Sequence, residues 1–279
     1  MNRALLSRTC RDALPLLAGC SALLVGFVLL RLWVVAQIDF DEATALFARI
    51  LPKFIERLLP VPFETIATIE GRVTFGFEEA PVLLLTSLWA VTRGTECLAG
   101  RLGDGTMEML LAQPLRRFTV VASHTLVTLL GIVLIAFAAW MGIGIGISIL
   151  DFDEPTSMSS YRPAAANLMC LGIFLVGVST LASAVTRTRS QAVGLTVSFI
   201  VIEMACKIMG MMSSKVAWLK KISFLSAYEP TLLTTGMIKD PAKYGSLQWQ
   251  YNGILIGLGL AALAIGTTFF CRRDVPAPL

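Results

Sequence analysis

The sequence predicts an all-α integral membrane protein, a single polytopic domain of six transmembrane helices over residues 1–279 with a short cytoplasmic helix between the second and third spans. Three observations predict it. The chain is 56% hydrophobic and only 15% charged, with a mean hydropathy of +0.74, too apolar for a water-soluble domain of this length. A bilayer-crossing helix needs about 20 mainly apolar residues, and six stretches supply them, at roughly 14–36, 77–98, 118–148, 164–186, 190–211 and 252–271. The charges are also sorted by side. With six spans and both termini on one face, that face gathers 11 basic residues (Arg3, Arg8, Arg11, Arg93, Arg101, Arg116, Arg117, Arg187, Arg189, Arg272, Arg273) against 5 acidic ones (Asp12, Glu96, Asp104, Glu108, Asp274). Of the 23 basic and 19 acidic residues in the chain, 12 and 14 then remain for the spans and the other face. The positive-inside rule therefore assigns both termini to the cytoplasmic side of a plasma-membrane protein. The lysines between Ser213 and Gln250 weigh against it, since the rule counts Lys and Arg rather than net charge.

In the first span, Arg3, Arg8 and Arg11 ahead of an apolar run imitate a signal peptide. The run exceeds the 7–15 residues of a signal core, and Arg31 with Trp33 fits a snorkelling charge and an interfacial anchor at the far end of a retained span. Residues 41–59 carry a helical pattern of their own. Leu46, Phe47, Ile50, Leu51, Phe54, Ile55, Leu58 and Leu59 recur at helical spacing opposite Arg49, Lys53, Glu56 and Arg57, with Asp39 or Asp41 as a cap and Pro60-Val61-Pro62 as a stop. This segment is expected either to lie in the outer interface or to cap the bundle. At the outer end of the second span, Glu78-Glu79 precedes Pro81; the carboxylates are expected as a gate or as a hydrated cap.

The stretch Arg93 to Arg117 is polar and broken by glycine between two apolar spans. Gly103 and Gly105 interrupt the preceding helix, Asp104 or Thr106 can cap a new one, Glu108 falls in its first turn, and Pro114 stops it. Within that short helix Met107, Leu110 and Leu111 share one side and form an apolar ridge suited to a neighbouring protein. Gly105, Thr106, Glu108, Leu110 and Leu111, followed by Pro114, Arg116 and Arg117 just before a span, resemble the cytoplasmic coupling segment of type-2 ATP-binding-cassette permeases. The resemblance departs at His124, near where the family often carries Lys. It implies the membrane-spanning subunit of an exporter, paired with itself or a similar chain. A separate cytoplasmic ATPase, holding the ATP and Mg, would dock at Glu96, Arg101, Gly105, Thr106, Met107, Glu108, Leu110, Leu111 and Pro114. The alternative is a non-transporting scaffold whose cytoplasmic segment docks another protein.

The third and sixth spans carry Gly142, Gly144 and Gly146, and Gly253, Gly257 and Gly259, each set with a GxxxG spacing suited to close helix packing within the chain or with a second copy. Ser183 to Ser190, with Arg187 and Arg189, forms a short cytoplasmic turn. Glu203 and Lys207 are placed for an i,i+4 ion pair beside Met204, Cys206, Met209, Met211 and Met212, a group expected as apolar filling, with a soft-metal site such as Cu(I) as the alternative. Residues 213–250, with Trp218, Ala227-Tyr228-Glu229-Pro230 and Trp249, are expected as an outer loop with interfacial aromatic anchors; the permease resemblance implies short or re-entrant helices there.

Several chemistries are excluded. There is no GxxxxGK[ST] phosphate loop and no GxSxG serine elbow, and His124 is the only histidine, so HExxH zinc chemistry has no second ligand. Glutamate-based CAAX-type proteolysis needs a Glu pair, three intervening residues and then Arg, where Leu83 stands here. None of the six cysteines has a CxxC partner. No metal, cofactor or nucleic-acid partner is expected. Membrane lipid is.

Overall fold

The computed structural model describes residues 3–37, 61–111, 117–152 and 155–272, and every regular element among them is helical. The segment expected as an interfacial helix at 41–59, and Pro114, lie outside the described residues. Helices are the natural outcome for a chain so poor in charge. A backbone in hydrocarbon must satisfy its own polar groups, and a helix does so within one segment.

Five described helices are long and apolar enough to cross a membrane: one within α1 (Arg3–Gln37), and those at Arg117–Ile149, Met158–Val185, Arg189–Met212 and Pro241–Arg272. After α1 come two short helices, α2 (Phe63–Ala67) and α3 (Ile69–Phe75), and a 3-10 turn, Gly76–Glu78. The expected second span then differs from its sequence outline. Its regular helix, α4, covers Ala80–Thr95, 16 residues that start from extended backbone at Glu79 with Pro81 in the first turn, where its missing N–H costs nothing. A wide π-helical turn, Glu96–Gly100, and one further turn, Arg101–Gly103, prolong it. The segment from the 3-10 turn through α4 runs from Phe77, whose carbonyl accepts the Tyr228 hydroxyl at 2.6 Å, to Thr95, whose carbonyl accepts the Ser183 hydroxyl at 2.8 Å. α5 (Thr106–Leu111), α6 (Arg117–Ile149), α7 (Arg162–Val185) and α8 (Arg189–Met212) follow.

Residues 213–240 are more structured than a loop: α9 (Trp218–Ile222), a 3-10 turn at Phe224–Ala227 and α10 (Pro230–Lys239) fold over one end of the bundle. The last helix, α11 (Pro241–Arg272), begins 11 residues before the apolar stretch expected at 252. The Asp240 carboxylate accepts the Lys243 N–H at 3.1 Å and Pro241 sets the first turn, so capping chemistry starts a helix that hydropathy alone does not reveal. Trp218 and Trp249 are both exposed, as anchors require.

α7 is the central and most buried of the long helices, packed against α4, α6, α8, α10 and α11. Its closest approaches use small residues. A Cβ on Gly177 would run into the Gly259 carbonyl on α11, one on Gly172 into Ile132 on α6, and one on Gly94 into Ser179. The GxxxG of the third span is intramolecular, Gly142 facing Val28 and Gly146 facing Leu32 of α1. In the sixth span Gly259 packs within the chain, while Gly253 and Gly257 have no described atom within 4 Å of a built Cβ.

The Glu203–Lys207 ion pair does not form. Glu203 instead accepts the Phe224 N–H at 2.8 Å. The Lys207 ammonium donates to the Leu225 and Tyr228 carbonyls at 3.2 and 2.8 Å and lies 3.5 Å from the Glu229 carboxylate. The folded 213–240 segment presents backbone groups and the Glu229 carboxylate to these side chains, and these outcompete an i,i+4 pair worth only a few tenths of a kcal/mol.

Candidate functional site

The end of the bundle carrying α5 is built around the turn that follows α4. A π turn widens the helix and frees backbone groups from the regular i to i−4 pattern. Those groups find Ser183: its hydroxyl accepts the Leu98 and Ala99 N–H groups at 3.2 and 2.8 Å and donates to the Thr95 carbonyl at 2.8 Å. Ser183, expected at the start of an exposed turn, is fully buried within α7. One turn earlier, the Ser179 hydroxyl donates to the Ala90 carbonyl at 3.0 Å, so Ser179 and Ser183 stitch α7 to α4 along one face.

Beyond the π turn the chain reverses. The Asp104 N–H reaches the Gly100 carbonyl at 3.0 Å, and Gly105 takes φ +68°, a left-handed conformation that a residue with a Cβ adopts only under strain. Thr106 then opens α5, its hydroxyl donating to the Arg101 carbonyl at 3.3 Å. Of the apolar ridge expected on α5, Met107 is the member whose side chain is described. Met107 is fully buried in its own chain, in a small core with Cys97, Leu98, Val121, Ala184 and Phe270, so it anchors α5 to the bundle instead of facing outward. Met109 is 74% exposed, and Asp104, Gly105 and Thr106 are exposed beside it.

Arg93 is the charged residue that sequence reasoning passed over. Only 3% of it is exposed; its guanidinium donates to the Glu96 carboxylate at 2.7 Å and to the Thr9 carbonyl of α1 at 3.5 Å, and lies over the Trp89 ring. Glu96 is thereby committed at least partly to Arg93. It also lines, with Arg8, Asp12, Arg101, Asp104 and Thr106, a polar cleft of about 400 Å³ between the first turns of α1 and the segment leading into α5. Of the residues expected to dock a partner, Glu96, Arg101 and Thr106 meet at this cleft, with Gly105 beside it. The side chains of Glu108, Leu110 and Leu111 lie outside the described residues.

At the opposite end the two expected gate residues separate. Glu79 pairs with Arg31 of α1 at 2.5 Å, and a second Arg31 nitrogen donates to the Arg72 carbonyl at 3.2 Å. Glu78, outside α4, accepts the Thr231 N–H at the start of α10 at 3.2 Å. Burial pushes the Glu78 carboxyl up to about 7. The Thr231 hydrogen bonds and Lys207 act against that shift, and the Glu229 charge adds to it. Glu229 itself is 1% exposed, its carboxylate held by the Lys207 and Lys220 ammonium groups at 3.5 and 3.4 Å. Asn167 of α7 completes the cluster. Its amide donates to Asn252 at 2.8 Å and to the Ala227 carbonyl at 3.1 Å, and its oxygen accepts the Glu229 N–H at 3.0 Å. The signal for it was in the sequence: Asn167 and Asn252 are amides within apolar spans, where an unpaired amide is costly and a partner is expected.

Among the described residues no three His, Cys, Asp or Glu side chains come together as metal ligands. His124 is buried, with the Thr128 hydroxyl 3.5 Å from its Nδ1. What the arrangement can do is mechanical: an exposed helical turn, rigidly seated, at one end of a long buried helix whose other end organises a charged cap. A family model described as ABC-2 family transporter protein matches residues 16–275 of the chain. A search of curated proteins finds no match.

Proposed function

Because the chain belongs to the ABC-2 family of transporters, we propose that it is the permease subunit of an ATP-binding-cassette exporter, driven by a separate cytoplasmic ATPase. α5 and the turn before it form the coupling helix. In this reading α4 with its continuation to Gly103 is the sixth crossing segment. Its 24 residues from Ala80 reach about 36 Å at 1.5 Å per residue, enough for a hydrocarbon core of about 30 Å. The α5 end faces the cytoplasm with both termini, and the cap of α9 and α10 faces outward, in the sense of the arginine distribution. Two such chains, identical or similar, pair in the plasma membrane, and ATP and Mg belong to the partner.

The observation that carries the reading is the placement of α5. A short helix turns Met109 out to solvent on one side, while Met107 on its other side is fully buried against the bundle. A push on such a helix is delivered to the spans rather than absorbed by a loose loop. Glu96, Arg101, Thr106 and Met109 around the cleft are the contacts offered to the ATPase, with Glu108, Leu110 and Leu111 on the same short helix.

Met109→Asp tests it. The side chain is exposed, so the fold survives, while an unpaired charge forced into an apolar contact weakens binding by about tenfold or more. Pull-down of the co-purifying ATPase and its stimulated ATP turnover should both fall. Parent-level binding and turnover in correctly inserted protein would mean that α5 is not the dock.

A further inference from the structure

We propose that Ser183 is a positioning residue that locks the coupling segment onto α7, so that α7 acts as a rod between the ATPase side and the outer cap. The proposal rests on the ATPase-driven reading above and adds the part that carries its motion. A hydroxyl has one proton to give and two acceptor sites, and Ser183 uses all three on the π turn: Thr95 carbonyl, Leu98 N–H and Ala99 N–H. Three bonds from one side chain to both sides of a helix irregularity fix its shape and its position on α7. At the other end of α7, Asn167 holds the Glu229 N–H and the Ala227 carbonyl. The two residues are 16 positions apart on one unbroken helix, about 24 Å at 1.5 Å per residue. A helix this buried shifts as a unit, because close-packed interiors transmit displacement instead of absorbing it.

The bland account is that Ser183 only satisfies polar groups freed by the π turn. The two accounts differ at a distance. If Ser183 is only a local satisfier, its loss affects the turn alone; if it is the joint, its loss also silences the outer cap.

Amide hydrogen exchange on the complex with its co-purifying ATPase in lipid nanodiscs separates them, read with and without ATP and vanadate. In the parent, nucleotide should change exchange both at 101–111 and at 223–232. In Ser183→Ala the response at 101–111 should persist, while that at 223–232 falls at least about fivefold, the low end of usual coupling between sites. Ser183→Thr, which keeps the hydroxyl, should restore it. A parent-like response at 223–232 in Ser183→Ala overturns the proposal. Should Ser183→Ala fail to assemble, the parent alone decides: the Leu98 and Ala99 amides must remain protected in both nucleotide states, and rapid exchange in the vanadate-trapped state overturns the joint. A parent complex whose 101–111 segment ignores nucleotide refutes the ATPase-driven reading, and the rod falls with it.

Discussion

At the level of single residues, the bundle is held by places where a side chain is missing. Gly177 lies against the Gly259 backbone so closely that an added methyl would meet a carbonyl, which cannot rotate aside as a flexible side chain would. Gly177→Ala must therefore separate α7 from α11, and overpacking of this kind costs about 1–3 kcal/mol. Gly253, on the same α11 but with open space around it, is the matched control. Gly253→Ala should leave stability within about 0.5 kcal/mol, as for a surface change away from special features. Thermal denaturation in detergent, followed by size-exclusion chromatography, should show a clear drop for the first and almost none for the second. Equal losses would mean that the α7–α11 contact is looser than the geometry requires.

Among the elements, the cap of α9 and α10 is where ionisation matters most. Glu78, in the turn before α4 and bonded to Thr231 at the start of α10, is faced by Glu229 and Lys207, with Tyr228 close by and Lys220 paired with Glu229. Burial raises the Glu78 carboxyl to about 7 from the ordinary 4.5, so the folded cap holds the proton more tightly than the unfolded chain. The sign follows: this contribution is fully present below the ordinary carboxylate value and is lost as pH rises through about 7. The parent should accordingly lose thermal stability between about pH 5 and about pH 8, and Glu78→Gln, permanently neutral, should flatten that slope. Parallel melting curves for the two proteins across this range would remove Glu78 as the titrating group. The cap also shows what the sequence can and cannot reveal. Long apolar helices are written in composition, so α1, α6, α7 and α8 were legible to within a few residues except at the polar start of α1. Short helices such as α9 and α10 were implied only by the permease resemblance, and their bounds and the early start of α11 were not legible, because they rest on capping by Asp240 and on contacts with Asn167 and Glu78 from distant parts of the chain. The segment from Arg93 to Leu111 was legible as a site from its glycines and charge, but Ser183, 84 positions from Ala99, was not: its role depends on which span packs beside the π turn.

For the whole molecule, the two ends have different chemistry, and that difference supports an orientation. The first turns of α1, the α5 segment, the turn between α7 and α8 and the end of α11 gather at one end, where Phe270 packs with Met107 and Arg189 approaches Gly100. Arginines dominate there, whereas the lysines of residues 215–243 sit with the cap at the other end. Both sets count under the positive-inside rule, so the rule favours the α5 end on number and the Lys-rich cap contests it. Labelling resolves the contest, because Asp104 and Ser157 are both exposed and differ only in the end they occupy. In a background with the exposed Cys10 and Cys271 changed to serine, a cysteine replacing Ser157 should react with an impermeant maleimide on sealed cells. One replacing Asp104 should react only after the membrane is opened. Since both positions are open to solvent in the fold, a silent Asp104 site in sealed cells reports sidedness rather than burial. Prompt labelling there in intact cells would reverse the protein in the membrane, put α5 out of reach of any cytoplasmic ATPase, and remove the physical basis for reading it as a coupling helix.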